Sequence, residues 1–181
     1  MNKALIILCG LEGSGKSTLT KAILPHLKNG AAFDAETILQ VNPFEFNEAF
    51  QNLAISHAAD LIFNFYEHGL DTVVAASFIN DRFWYDRFRT LLPGLYNIYL
   101  IMLEADKKTR DIRRIARKKP TSKEARDWLD NKYPPDETLK DTEATGDYKY
   151  ISIENSKFTV DEIIELIKTT LPGVFSLSHH N

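Results

Sequence analysis

This chain has almost none of the residues that advertise chemistry on their own. Its 181 residues include one cysteine, Cys9, which excludes an internal disulfide framework and a multi-cysteine zinc site and fits a reducing cytosol. His26, His57 and His68 lack metal-ligand spacing. No apolar run approaches the ~20 residues that span a bilayer, so no membrane partner is expected. Lys3 and the apolar stretch after it resemble a secretory leader only loosely, because Leu8 is too bulky for a cleavage site. The protein is therefore expected in the cytoplasm. Nor is there a large net charge: 22 Lys and Arg against 25 Asp and Glu give −3. That figure joins unequal parts. Lys107–Lys119 holds eight basic residues and one acidic residue, a local +7, and the rest of the chain carries −10.

What is present alternates. Hydrophobic residues make up 44% and charged residues 26%, an ordinary globular mixture. Ala4–Cys9 reads as a central parallel strand and Lys16–Leu27 as a helix. Ala31–Asp34 is a short apolar run ending in an acid, and Asn42-Pro43 reads as the start of a long Phe-rich helix ending at Gly69. Thr72–Ser77 and Asn97–Leu103 read as strands flanking a helix at Asp81–Leu92. Asp106–Lys118 is a strongly basic helix and Pro120–Asp147 a polar, mobile excursion. Tyr148–Ile153 is a last strand, followed by a helix at Val160–Leu171 that Thr159 caps, and residues 176–181 form a frayed tail. The pattern predicts one three-layer α/β domain over residues 1–175, a five-stranded parallel sheet with helices on both faces.

The decisive segment is Gly10-Leu-Glu12-Gly13-Ser14-Gly15-Lys16-Ser17-Thr18, which fits the Walker A pattern G-x-x-x-x-G-K-[ST] between a strand and a helix. Glycines let backbone N–H groups wrap a phosphate, and the helix start directs its positive dipole end at the anion. Lys16 supplies charge to the β- and γ-phosphates of ATP, and the Ser17 hydroxyl is placed to ligate Mg2+.

On this loop, and on Tyr148–Ile153 with Asn155, the chain resembles the P-loop kinase superfamily, including adenylylsulfate, gluconate and shikimate kinases and polynucleotide 5′-kinase. The resemblance spans Lys3 to about Leu171. It implies the P-loop nucleoside triphosphate hydrolase fold, an adenine site near Asn155, and a lid at about residues 106–147. A GTPase does not fit, because Asn131-Lys132-Tyr133 meets Pro134 where Asp is required and no D-x-x-G occurs.

In similar kinases an Asp at the end of the second strand contacts the acceptor hydroxyl. Here that is Asp34, with Glu36 two residues on as a binder of acceptor or water-linked Mg2+; the alternative is that Asp34 only caps the next helix. The third strand departs from the family, ending in Ser77 where many relatives have Asp, and Asp81 reads as a helix cap. The resemblance also implies that Arg113 stacks on adenine and Arg117 reaches the phosphates, with Arg110 and Arg114 as the alternatives one register away. Arg82, Arg87 and Arg89 are candidates for an anionic acceptor or for surface ion pairs. Phe44, Phe46, Phe50, Phe63 and Phe65 make core or wall an acceptor pocket.

The expectation is an ATP-dependent kinase moving the γ-phosphate to a hydroxyl of a small molecule. Two alternatives remain: a polynucleotide, nucleoside or nucleotide kinase, and an ATP-binding regulatory module without transfer. For the first, the basic helix would be a nucleic-acid surface.

Overall fold

The six residues Ala4–Cys9 are apolar without interruption, and burial of both faces explains why: strand β1 (Ala4–Cys9) is the centre of the sheet. The computed structural model describes residues 3–92, 94, 96–117, 121–134, 136–140 and 147–175. Around β1 run β2 (Gly30–Asp34), β3 (Thr72–Ala76), β4 (Asn97–Glu104) and β5 (Tyr148–Glu154), in the order β2-β3-β1-β4-β5 and all parallel. Alternate β1 side chains serve two cores. Leu5, Ile7 and Cys9 join helices α3 (Glu48–Glu67) and α4 (Arg82–Leu91), whereas Ala4, Ile6 and Leu8 join α1 (Lys16–Ile23) and α7 (Val160–Thr170). Each fully buried Leu or Ile contributes roughly 1.5–3 kcal/mol. The remaining helices are α2 (Ala35–Ile38), α5 (Lys107–Ile115) and α6 (Lys123–Lys132).

Two expectations need correction. The Phe-rich helix starts at Glu48, not at Pro43, because the cap is Asn47, whose Oδ1 accepts from Phe50 N at 2.9 Å. The segment before it, with a cis Asn42-Pro43 bond, packs by its rings instead: Phe46 contacts Phe50 and Tyr133 at centroid distances of 5.8 and 5.1 Å. The polar stretch after Pro120 is not featureless either. It holds α6, capped by Ser122. The residues of the expected tail, 176–181, lie outside the described residues.

Parallel strands bring every C-terminal end to one edge. Gly10, Asp34, Ser77 and Glu104 all sit at or just past that edge, which is where α/β sheets present their ligand sites.

Candidate functional site

Among the described residues, helix α1 is the one α-helix whose N-cap has no side-chain hydrogen bond. Its cap is Gly15 at φ 102°, whereas Asp34, Asn47, Asp81, Asp106, Ser122 and Thr159 cap α2 to α7 through side chains. The first N–H groups of α1 therefore keep their capacity for an anion, with the helix dipole behind them. Gly15 cannot be replaced cheaply: besides its positive φ, a Cβ there would stand 2.7 Å from Asn155 Nδ2.

The loop is held from several sides. Asn155, only 6% exposed, donates from Nδ2 to the Ser14 carbonyl, and its own N–H donates to Glu104 O at 2.6 Å. Arg113 bridges the same two segments, donating to Asn155 O at 2.7 Å and to the carbonyls of Ser14 and Gly13 at 3.3 and 3.4 Å. Lys16 Nζ folds back onto Gly10 O at 2.7 Å and Leu11 O at 3.3 Å. Burial lowers the Lys16 ammonium below its ordinary value, against the opposing pull of Glu36 and Asp34. Burial also pushes the neighbouring Cys9 thiol up to about 12, which removes it as a nucleophile.

A cleft of about 530 Å3 is lined by Glu12, Gly13 and Gly15 to Thr18 together with Glu36, Arg113, Arg117, Asn155, Phe158 and Thr159. Of the residues singled out in the sequence, Glu12, Gly13, Gly15 to Thr18, Glu36, Arg113, Arg117 and Asn155 line this cleft, and Ser14 and Asp34 do not.

Asp34 divides its two oxygens. Oδ1 accepts from Glu36 N at 3.0 Å and caps α2, while Oδ2 is buried without a hydrogen-bond partner among the described residues. Ser77, at φ 68° just past β3, also has a buried, unpartnered Oγ. Glu36 stands at the cleft surface, yet crowding by protein raises its carboxyl above the ordinary value, with Lys16 opposing. Asp81 is a cap, accepting from Trp84 N at 3.0 Å. Arg82 does not line this cleft and pairs with Asp86 at 2.6 Å; Arg89 pairs with Asp147 at 2.8 Å.

The basic helix separates into two faces. Arg110 and Arg114 are buried, at 6% and 1% exposure, and both bind Asp130 of α6, at 2.7 and 2.9 Å. Arg126 of α6 returns the contact to Asp111 at 3.2 Å. Arg117 remains at the cleft, 2.6 Å from Glu12 Oε1, and Arg114 Nε lies 3.4 Å from Glu12 Oε2. Sequence reasoning passed over Asp130 and Asp111 because their role depends on a helix with no buried residue to announce it. It also passed over a second cavity, of about 480 Å3, whose lining includes Gly10, Asn80, Glu104, Tyr133 and Tyr150. Its residues are scattered along the chain from Gly10 to Glu154, so no local motif marks it.

No family model and no curated protein sequence matches this chain. Solved structures do. It is similar to a sugar kinase from Janibacter over 97% of this chain and 99% of that one, with a TM-score of 0.70 and 14% identity. A gluconokinase from Sinorhizobium meliloti aligns over 94% and 92% of the two chains at TM-score 0.64 and 13% identity. A deoxyadenosine kinase from M. mycoides, with bound dATP, aligns over 92% and 98% at TM-score 0.55 and 18% identity. With its five parallel strands in the order β2-β3-β1-β4-β5, this chain has the P-loop kinase-like fold.

Proposed function

We propose that the protein is an ATP-dependent phosphotransferase that moves the γ-phosphate of ATP to a hydroxyl of a small-molecule acceptor. The observation that carries this reading is the uncapped start of α1, opening with Lys16 and Arg113 onto a cleft that ends at Asn155. The P-loop amides from Gly13 to Thr18 would hold the phosphates, and Lys16 would swing from its carbonyl partners onto the β- and γ-phosphates. Arg113 and Asn155 wall the adenine end, and Arg117 supplies charge to the transferring group once it leaves Glu12.

Asp34 accepts the proton. Its free Oδ2 is the buried acceptor oxygen at the strand edge. The acceptor oxygen forms its bond to the γ-phosphorus, the bond to ADP breaks with its electron pair on ADP, and the hydroxyl proton passes to Asp34. Among the described residues no three His, Cys, Asp or Glu side chains gather into a metal cage. Mg2+ at a nucleotide is held through few protein oxygens plus phosphate and water. The Ser17 hydroxyl would hold it, and it would neutralise charge on the phosphates.

The experiment is transfer of labelled γ-phosphate from ATP into a broad panel of hydroxyl compounds, with Lys16→Ala as blank. Acceptor-dependent label transfer that the blank lacks is the expected result. ATP that neither raises the melting temperature nor turns over with any acceptor would sink the reading.

A further inference from the structure

The loop of the donor cleft is free to turn by composition and fixed by contact. Ser14 stands between Gly13 at φ 84° and Gly15 at φ 102°, and glycines on both sides let its two peptide units rotate at little cost. A trans peptide carries its C=O and its N–H on opposite sides. Rotation would therefore replace an N–H that faces an anion by a carbonyl oxygen that repels it. An anion site built on this sequence needs groups that hold the carbonyls.

Two side chains from distant parts of the chain do so. Arg113 Nη1 donates to the Gly13 and Ser14 carbonyls at 3.4 and 3.3 Å, and Asn155 Nδ2 donates to the same Ser14 carbonyl. The two are joined to each other, Arg113 Nη2 donating to Asn155 O at 2.7 Å. Each has its own footing. Asn155 is buried, and its N–H donates to Glu104 O at the end of β4. Arg113 sits on α5, which Arg110 and Arg114 tie to Asp130 of α6. The unit between Gly13 and Ser14 is pinned at both ends, since the Ser14 N–H donates to Leu11 O at 3.1 Å. The unit between Ser14 and Gly15 is pinned by its carbonyl alone. Its N–H, on Gly15, has no hydrogen-bond partner among the described residues, and Gly15 lines the cleft whereas Ser14 does not. Both Nη groups of Arg113 are spent on backbone oxygens, which is not the arrangement of a guanidinium laid on a base.

We infer that Arg113 and Asn155 are positioning residues: together they clamp the Gly13 and Ser14 carbonyls, aim the Gly15 N–H, and so set affinity for the triphosphate and not for the base. The inference rests on the donor-site reading of this cleft. Stacking on adenine would act on the base, and a direct phosphate contact would act through charge alone.

The test is calorimetric titration of ATP, GTP and inorganic tripolyphosphate, each with Mg2+. The proteins are wild type, Arg113→Ala, Arg113→Lys, Asn155→Ala and the double alanine variant. Arg113→Ala is expected to weaken all three ligands by about tenfold or more, the factors agreeing within about threefold. Asn155→Ala removes no charge and is expected to weaken all three as well. The double variant should lose less than the product of the single losses, because both side chains act on one carbonyl. Arg113→Lys keeps the charge without the fork and should stay within about threefold of Arg113→Ala. Cooperative melting of each unliganded variant shows it folded, and Arg113→Lys with Asn155→Ala carries the comparison if Arg113→Ala does not fold. A loss for ATP that tripolyphosphate does not share overturns the clamp, as do full affinity in Arg113→Lys and losses that multiply in the double variant. Wild-type protein that binds none of the three ligands would overturn the donor site itself, and the clamp with it.

Discussion

Glu12 occupies one of the variable positions of the P-loop, yet its carboxylate pairs with Arg117 and touches Arg114 as well. A carboxylate at that place takes the charge that a nucleotide phosphate would otherwise claim. Glu12→Gln is therefore expected to free Arg117 and tighten ATP binding by about 1 kcal/mol, about fivefold, as measured by mant-ATP titration. The same change removes a partner from buried Arg114, so the melting temperature should fall while affinity rises. Affinity unchanged or weakened would mean that Arg117 does not meet the phosphates. Asp34 is expected to behave in the opposite way. Asp34→Asn keeps the cap to Glu36 N, since an amide oxygen also accepts, but removes the proton acceptor. Turnover should fall by about 10²–10⁴-fold with ATP affinity within about threefold. A loss confined to melting temperature would assign Asp34 to the cap alone.

The pair α5 and α6 shows what was legible at the level of elements and what was not. The spacing of Ile112 and Ile115 suggests an inward apolar edge, but both are exposed, at 59% and 51%, and the buried face is Arg110 and Arg114. Hydrophobic periodicity reads the wrong side of α5 because this interface is built from ions. For the same reason α6 leaves no apolar signal; only Ser122 before Lys-Glu-Ala-Arg marks a capped start. Elements with a buried apolar face, such as β1, β3, β4 and α7, were legible to within a residue or two. Asp130 is the centre of the ionic interface. Burial would raise its carboxyl, but the hydrogen bonds from Arg114 and Arg110 overrule it and hold the group well below its ordinary value of 3.8. A depressed carboxyl stabilises the fold in full above the ordinary value, and the contribution is lost as pH falls from there through the folded value. Asp130→Asn strands two buried guanidinium groups, and about 3 kcal/mol should go, about 6–12 °C in a chain of this size. The gap between wild type and variant should be widest at pH 6–7 and close below pH 4 in melting scans. A gap that stays constant down to pH 2 would separate Asp130 from the ion pairs.

At the scale of the whole molecule, the excess charge of Lys107–Lys119 takes on a different meaning. Read along the chain, +7 beside a body of −10 invites a cationic surface for a polyanion. In space, Asp130 takes Arg110 and Arg114, Glu12 takes Arg117, and Asp111 and Asp127 take Lys107. Arg113 is turned to backbone carbonyls of the P-loop and Asn155. Apart from Asp111, which belongs to the basic helix itself, the acidic body supplies these counter-ions, so among the described residues little positive charge is left facing outward there. Binding to nucleic acid depends on releasing condensed counter-ions with free Lys and Arg, and side chains already paired release few. A 5′-hydroxyl oligonucleotide of about 12 nucleotides is therefore expected to bind weakly, with a shallow dependence of log Kd on log salt, corresponding to about one or two phosphate contacts. Fluorescence anisotropy between 50 and 200 mM salt, at roughly tenfold steps of protein concentration, measures that slope directly. A slope of five or more contacts would show the ion pairs opening onto the strand, and would return the basic helix to the polynucleotide kinase reading. The shallow slope, with ATP binding intact, leaves the helix as the closing wall of the donor cleft.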